Sequence, residues 1–220
     1  MQLPALNTIL PNPAILLLGP TGAGKTPLGH LLQRKGLWGM PCVHFDFGAT
    51  LRQVVDRNQP DELLSAEALL VLQKSLETGA LLEGEHIDIA RRLVRSFLKT
   101  QSIREPTWLV LNGLPRHVGQ ARALETVFDV VAVVNLDCGE QAVVERIRTN
   151  QAGDRTGRND DYPAAIAKKL AIFRERTAPL VAYYGARMAR ILQLAVTAHT
   201  TPEQLWESLQ QCRPEGPSLQ

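Results

Sequence analysis

Apolar residues fall along this chain in two kinds of run. Short, nearly unbroken runs at 14–18, 42–45, 108–111, 130–136 and 191–196 are dominated by Leu, Ile, Val and other apolar residues. A strand with one wet face alternates apolar and polar residues, so unbroken runs predict strands of a parallel sheet covered on both sides. Between them, apolar positions recur at helical spacing over about 25–34, 61–78, 84–99, 117–127, 140–150 and 161–188. A last helix opens at Thr201-Pro202-Glu203-Gln204, with Thr201 as N-cap, Pro202 in the first turn and Gln204 closing a capping box. Strands alternating with helices give right-handed crossovers and an α/β fold, an open parallel five-stranded sheet with helices on both faces.

Two stretches depart from plain alternation. About sixty residues separate the second strand from the third and hold at least two helices, which predicts a helical insertion over 47–99. Between Asn150 and Asp161 the apolar residues give way to Gly, Asp and Arg, a solvated loop over 150–161. The core of a single domain spanning 1–220 is then 14–46, 100–150 and 161–212, with the first dozen residues and the tail from Pro214 loosely held.

The chain has 220 residues, 45% hydrophobic and 21% charged, enough to bury a large core and outside the range of disordered chains. A net charge of +2 argues against general polyanion binding, so no nucleic-acid partner is expected. No apolar stretch approaches the roughly 20 residues that span a bilayer, and the N-terminus lacks the pattern of a signal peptide. Cys42, Cys138 and Cys212 are far apart and form no CxxC pair, so neither a zinc site nor a disulfide framework is signalled, and a reduced cytoplasm is the expected location.

The chemistry begins at the end of the first strand. Gly19-Pro20-Thr21-Gly22-Ala23-Gly24-Lys25-Thr26 is a full G-x-x-x-x-G-K-[ST] match, after a predicted strand and before a predicted helix. Phosphate oxygens must approach main-chain N–H groups closely, which glycine allows, and the following helix turns its positive end toward the anion. Lys25 is placed to reach the β- and γ-phosphates, and the Thr26 hydroxyl to meet Mg²⁺. This P-loop signals a nucleotide without naming a reaction.

Further segments narrow it. Asp46-Phe47-Gly48-Ala49-Thr50-Leu51-Arg52 follows the second strand, and Asn112-Gly113-Leu114-Pro115-Arg116-His117-Val118-Gly119-Gln120 follows the third. Glu145-Arg146-Ile147-Arg148, Thr156-Gly157-Arg158-Asn159-Asp160-Asp161 and Thr177-Ala178-Pro179-Leu180-Val181-Ala182-Tyr183-Tyr184 come later. In order, spacing and strand placement, the chain from about Ala14 to Leu209 resembles the adenylate kinase family of nucleoside monophosphate kinases, in its short-lid branch without a zinc-stapled lid. The resemblance implies that Arg52 and Arg116 hold the acceptor monophosphate and that Gln120 reads the adenine edge. It implies an acceptor wall of Phe47, Gly48, Gly113 and the turn Gly79-Ala80-Leu81-Leu82. Gly19, Gly22, Ala23, Gly24, Lys25 and Thr26 would hold ATP, Arg146 would lie against its base, and Arg158 would meet the transferring phosphate. Mg²⁺ is the implied cofactor, small nucleotides the only implied partners, and a monomer the implied state.

Four positions depart from the family pattern. Phe47 stands where a small residue touches the acceptor base, and Asn112 where an aspartate anchors the water shell of the metal. Asn150 replaces a phosphate-binding arginine, and Lys169 replaces another, keeping the charge but losing the planar fork. Arg148 and Arg155 read as solvated, with substitution for the arginine missing at Asn150 as the alternative. His44, His86, His117 and His199 read as structural residues without partners, and Trp38, Trp108 and Trp206 as packing. The favoured expectation is ATP-dependent phosphorylation of AMP, with Lys25, Arg116, Arg158 and Lys169 stabilising charge in flight. A different acceptor (CMP, UMP or a deoxynucleotide) and a catalytically weak regulatory binder are the alternatives.

Overall fold

The computed structural model describes residues 12–59, 64–101, 106–150, 152–156 and 160–213. Strands β1 (Asn12–Leu18), β2 (Cys42–Asp46), β3 (Trp108–Asn112), β4 (Phe128–Cys138) and β5 (Arg190–Val196) form one sheet in the order β2-β3-β1-β4-β5. Every neighbouring pair is parallel. The five predicted strands are all present, and β4 is longer than its apolar run.

The pleat explains why unbroken apolar runs were needed. Ala14, Leu16 and Leu18 pack into one buried cluster with Phe45, Leu109 and Leu111, whereas Ile15 and Leu17 pack into a second with Val110 and Val134. Helices α1 (Lys25–Lys35), α6 (Glu140–Thr149), α7 (Pro163–Ile172) and α9 (Pro202–Gln211) supply the second cluster through Leu28, Val143, Leu170 and Leu209. Helices α2 (Phe47–Arg57), α3 (Ala66–Thr78), α4 (Ile87–Thr100), α5 (Val118–Leu124) and α8 (Leu180–Gly185) supply the first through Leu51, Leu72, Val94, Leu124 and Leu180. Both faces are dry. Burying each such leucine contributes roughly 1.5–3 kcal/mol.

Local signals set the helix ends. Thr201 and Gln204 form the predicted capping box at α9. Ser65 caps α3 through the Ala68 amide, later than the predicted start; residues 60–63 lie outside the described set. Helix α2, whose Phe47, Leu51, Val54 and Val55 lie at helical spacing, starts where the Asp46 carboxylate accepts from the Ala49 amide at 2.8 Å. The single helix expected over 161–188 is broken. Pro179 lacks the N–H that would bond the Glu175 carbonyl and its ring presses on that turn. The chain widens just before it into a π turn, Phe173–Thr177, where the Ala178 amide reaches back five residues to the Phe173 carbonyl at 2.8 Å. The tryptophans pack as expected: the Trp38 indole N–H donates to the Leu209 carbonyl and that of Trp206 to the Gly36 carbonyl, tying α9 to the end of α1.

Sheet order places the site. The chain runs outward from β1 to β2 and back to β3 on one side, then to β4 and β5 on the other. Connections therefore diverge at the carboxyl end of β1, where open α/β sheets leave a crevice for ligands. The P-loop begins there.

Candidate active site

β1 delivers Gly19 to the crevice, and the loop that follows has almost no room for side chains. Gly22 (φ 77°) would place a Cβ 2.9 Å from Ile147 Cγ1, and Gly24 (φ 96°) one 2.8 Å from the Arg146 guanidinium. Both lie in the left-handed region that favours glycine. Helix α1 starts at Lys25 with no side-chain cap, leaving its first turn to main-chain N–H groups. The Lys25 ammonium donates to the Gly19 and Pro20 carbonyls, both at 2.7 Å, and so lies folded along the loop. The Arg146 guanidinium donates to the carbonyls of Gly22, Thr197 and Thr200, fastening the P-loop to the β5–α9 connection.

Thr26, one residue into α1, donates its hydroxyl to Asp46 Oδ2 at 2.7 Å. Asn112 Nδ2 donates to that same oxygen at 2.7 Å and to Thr26 Oγ1 at 3.0 Å. A cavity of about 130 Å³ opens beside this triad, lined also by Lys25, Arg52 and Gly113. The family resemblance implies that Asn112 leaves one carboxylate fewer at the end of β3; Asp46, on the neighbouring strand, brings one to 2.7 Å from its amide.

A second cavity, about 240 Å³, carries Gly19, Thr21 and Lys25 on one wall and Phe47, Gly48, Arg52, Leu82, Gly113, Arg116 and Gln120 on the other. Among the described residues no carboxylate pairs with Arg52 or Arg116. Burial pulls the pKa of Arg116 below the ordinary arginine value, the sign of a desolvated charge lacking a counter-ion. An anionic ligand would supply one. The Arg116 backbone is fixed from two sides: its amide donates to Gln120 Oε1 at 2.7 Å, and its carbonyl accepts from the Thr177 hydroxyl at 2.8 Å. Gln120 is buried, and its Nε2 donates to the Leu82 carbonyl at 2.9 Å. His117 caps α5 through the Gln120 amide, and its Nε2 lies 3.3 Å from the same Leu82 carbonyl, so the expectation of a partnerless His117 is wrong. A larger hollow of about 520 Å³ beside β5 and α9 has no lysine or arginine in its lining and offers nothing to grip a polyphosphate.

The loop after α6 is less solvated than its composition suggests. Asn150 takes a left-handed conformation as the C-cap of α6, its Oδ1 accepting from the Arg155 amide at 3.1 Å. Arg155, expected in solvent, is only 8% exposed; its guanidinium forks onto the Asp161 carboxylate and reaches the Thr21 hydroxyl of the P-loop at 3.4 Å. Arg148 lies on the surface with Glu145, as expected. Lys169 pairs with Asp160 at the lip of the larger ligand cavity, where both help to line it. Arg158 lies outside the described residues.

The adenylate kinase family profile matches residues 17–189. The chain belongs to the adenylate kinase family. It is 34% identical to an adenylate kinase of Synechococcus sp. (strain WH7803) over 179 residues, 79% of this chain and 85% of that one. It is 33% identical to one from Prochlorococcus marinus (strain MIT 9313) over 89% of this chain and 96% of that one, and 32% identical to adenylate kinase 1 of Nostoc sp. (strain PCC 7120 / SAG 25.82 / UTEX 2576) over 79% and 85%. As a member of this family it is a phosphotransferase that uses ATP with a nucleoside monophosphate. No helix among the described residues is long and apolar enough to cross a membrane. No group of three or more His, Cys, Asp or Glu among them is placed to hold a metal by itself.

The residues of the sequence motifs meet in this crevice, and three residues that brace it were not among them as read. Asp46 ends the second apolar run with an acid, but only the fold shows its carboxylate meeting Thr26 and Asn112. Thr177 stands in the quoted Thr-Ala-Pro segment, though only the fold shows it under Arg116. Arg155 gave no signal, since nothing in its neighbours distinguishes a buried arginine from a wet one.

Proposed function

We propose that this chain is a magnesium-dependent nucleoside monophosphate kinase that moves the γ-phosphoryl of ATP to AMP, giving two ADP. An oxygen of the AMP phosphate attacks the γ-phosphorus while the bond to the β-phosphate oxygen breaks, leaving ADP on each side. The supporting observation is the single cavity that has P-loop residues on one wall and Arg52, Arg116 and Gln120 on the other. Two polyanions held in line, with charge neutralised around them, is what phosphoryl transfer requires of a protein.

In this reading the Gly19–Thr26 loop cradles the ATP phosphates and Lys25 swings from the Gly19 and Pro20 carbonyls onto the β- and γ-oxygens. Arg146 braces the loop beneath the base. Arg52 and Arg116 grip the acceptor phosphate with planar forks, and Gly48 and Gly113 keep side chains clear of it. Arg158 and Lys169 bring further positive charge as the lid closes, Lys169 first giving up Asp160. Gln120 still has one amide hydrogen and one oxygen lone pair to spare beyond Leu82 and Arg116, the pair that an adenine edge accepts and donates. The Thr26 hydroxyl and Asp46 carboxylate are hard oxygen donors of the kind Mg²⁺ favours, with Asn112 beside them. Held by the Thr26 hydroxyl with Asp46 and Asn112 beside it, Mg²⁺ would supply positive charge against the phosphate oxygens. A cytoplasmic monomer without zinc, acting on small nucleotides, completes the proposal.

Phe47 favours one rival. Buried in the cavity wall, it narrows the acceptor pocket and suits a smaller pyrimidine. A coupled ADP assay across AMP, CMP, UMP, GMP and dAMP separates the two. The highest kcat/KM with AMP is expected; preference for CMP or UMP would replace the acceptor, and no turnover with any of them would overturn the kinase reading.

A further inference from the structure

We infer that Asp46 is the carboxylate that positions the magnesium shell of the bound nucleotide, so that the acid serving the metal stands at the end of β2 instead of β3. This rests on the kinase reading above and deepens it.

Asp46 and Asn112 are register partners at the carboxyl ends of adjacent strands. Moving a carboxylate from one to the other shifts it by about one strand spacing, roughly 4.8 Å. The bland explanation is that Asp46 is only a helix cap. That accounts for Oδ1, which accepts from the Ala49 amide at 2.8 Å. It leaves Oδ2 unexplained, and Oδ2 accepts from both the Thr26 hydroxyl and Asn112 Nδ2 at 2.7 Å. With its proton given to Asp46, the Thr26 oxygen keeps a lone pair for a cation. The carboxylate also lines the same 130 Å³ cavity as Lys25 and Thr26, within reach of a water held by that cation. An amide at position 112 is then intelligible: a second carboxylate there would face Asp46 across a hydrogen-bond distance, and two such groups resist ionising together. The acid at the end of β2 and the amide at the end of β3 touch directly, Asn112 Nδ2 donating to Asp46 Oδ2 at 2.7 Å. Asp46 is thus a positioning residue, acting through Thr26 and through water on the metal.

Calorimetric titration of the intact chain with AMP-PNP, once with magnesium and once with EDTA, tests this without turnover. Asp46→Asn retains a good capping oxygen and removes the charge together with the acceptor that faces Thr26 and Asn112. It should weaken magnesium–AMP-PNP binding by about 10- to 100-fold, the usual effect of losing a group that orients a metal's ligands, with metal-free binding unchanged or tighter. The exchanged variant Asp46→Asn/Asn112→Asp, in which acid and amide trade places, should recover the magnesium preference. An unchanged ratio of the two affinities in Asp46→Asn overturns the assignment, and so does an exchanged variant as impaired as the single one, while in both cases wild-type binding leaves the kinase reading standing. A wild-type chain that binds neither form overturns the kinase reading and this inference with it.

Discussion

Arg116 shows how a single side chain becomes a ligand site through what surrounds it. Its guanidinium is desolvated without a carboxylate partner, so binding an anion relieves a cost that folding has left in place. Arg116→Lys keeps the charge and loses the fork. Steady-state kinetics with AMP should show kcat falling by about 10²–10³, the scale of losing one preorganised charge-stabilising group; a change under about twofold would remove Arg116 from the chemistry. Position 112 carries a second prediction. Asn112→Asp alone puts a buried carboxyl against Asp46, so it holds its proton above the usual carboxylate range. The folded chain then binds more protons than the unfolded one between the two pKa values, and stability falls as pH rises through them. Thermal melts from about pH 4 to 8 should show the variant's Tm deficit widening toward neutrality; a constant deficit would mean the two positions do not sense each other. Arg116 was legible because its motif fixes it just past a strand end. The part played by Asp46 was not, because one oxygen's direction depends on where a strand and a helix from elsewhere in the chain bring their side chains.

Among the elements, the π turn before α8 repays attention because it was invisible as such in the apolar period. Pro179 forces the widening, and the widening presents Thr177, whose hydroxyl holds the Arg116 carbonyl at 2.8 Å. Thr177→Val preserves shape and deletes that bond. It should raise KM for AMP several-fold and leave KM for ATP nearly unchanged, with far-UV circular dichroism unaltered; equal effects on both substrates would show that the turn does not address the acceptor side. The P-loop offers a complementary test. Gly22→Ala must fit a Cβ 2.9 Å from Ile147 Cγ1 at φ 77°, costing about 1–3 kcal/mol, read as a lower Tm together with weakened ATP binding by calorimetry. Elements with a strong local signal, such as the capping box of α9 and the five apolar strands, were readable in advance. Helix α2 was open to the same reading, its Phe47, Leu51, Val54 and Val55 lying at helical spacing behind Asp46; the break in 161–188 was not, since a proline absorbed by a wider turn competes with simple periodicity.

For the molecule as a whole, the two dry faces of the sheet carry an acid-sensitive element. His44 on β2 is buried with its Nε2 unpartnered among the described residues, pressed over Gly29 of α1 where a Cβ would sit 2.2 Å away. Burial, opposed by Asp46 and aided by His30, lowers its pKa from 6.5 to about 4. Between those values the unfolded chain takes up a proton that the folded chain refuses. The stability in question is therefore present above about pH 6.5 and is lost as pH falls toward 4, on the order of 3 kcal/mol. Urea unfolding of His44→Leu should show a flatter pH profile across that window; an identical slope would acquit His44. The sequence by itself determined the layered α/β architecture, the phosphate loop and the family, because these rest on periodicity and on residue types at fixed short spacing. Only the tertiary structure decided that Asp46 meets Thr26, that Thr177 holds Arg116 and that Arg155 is buried. Those contacts join segments up to 134 residues apart, and no local pattern encodes where two such segments will touch.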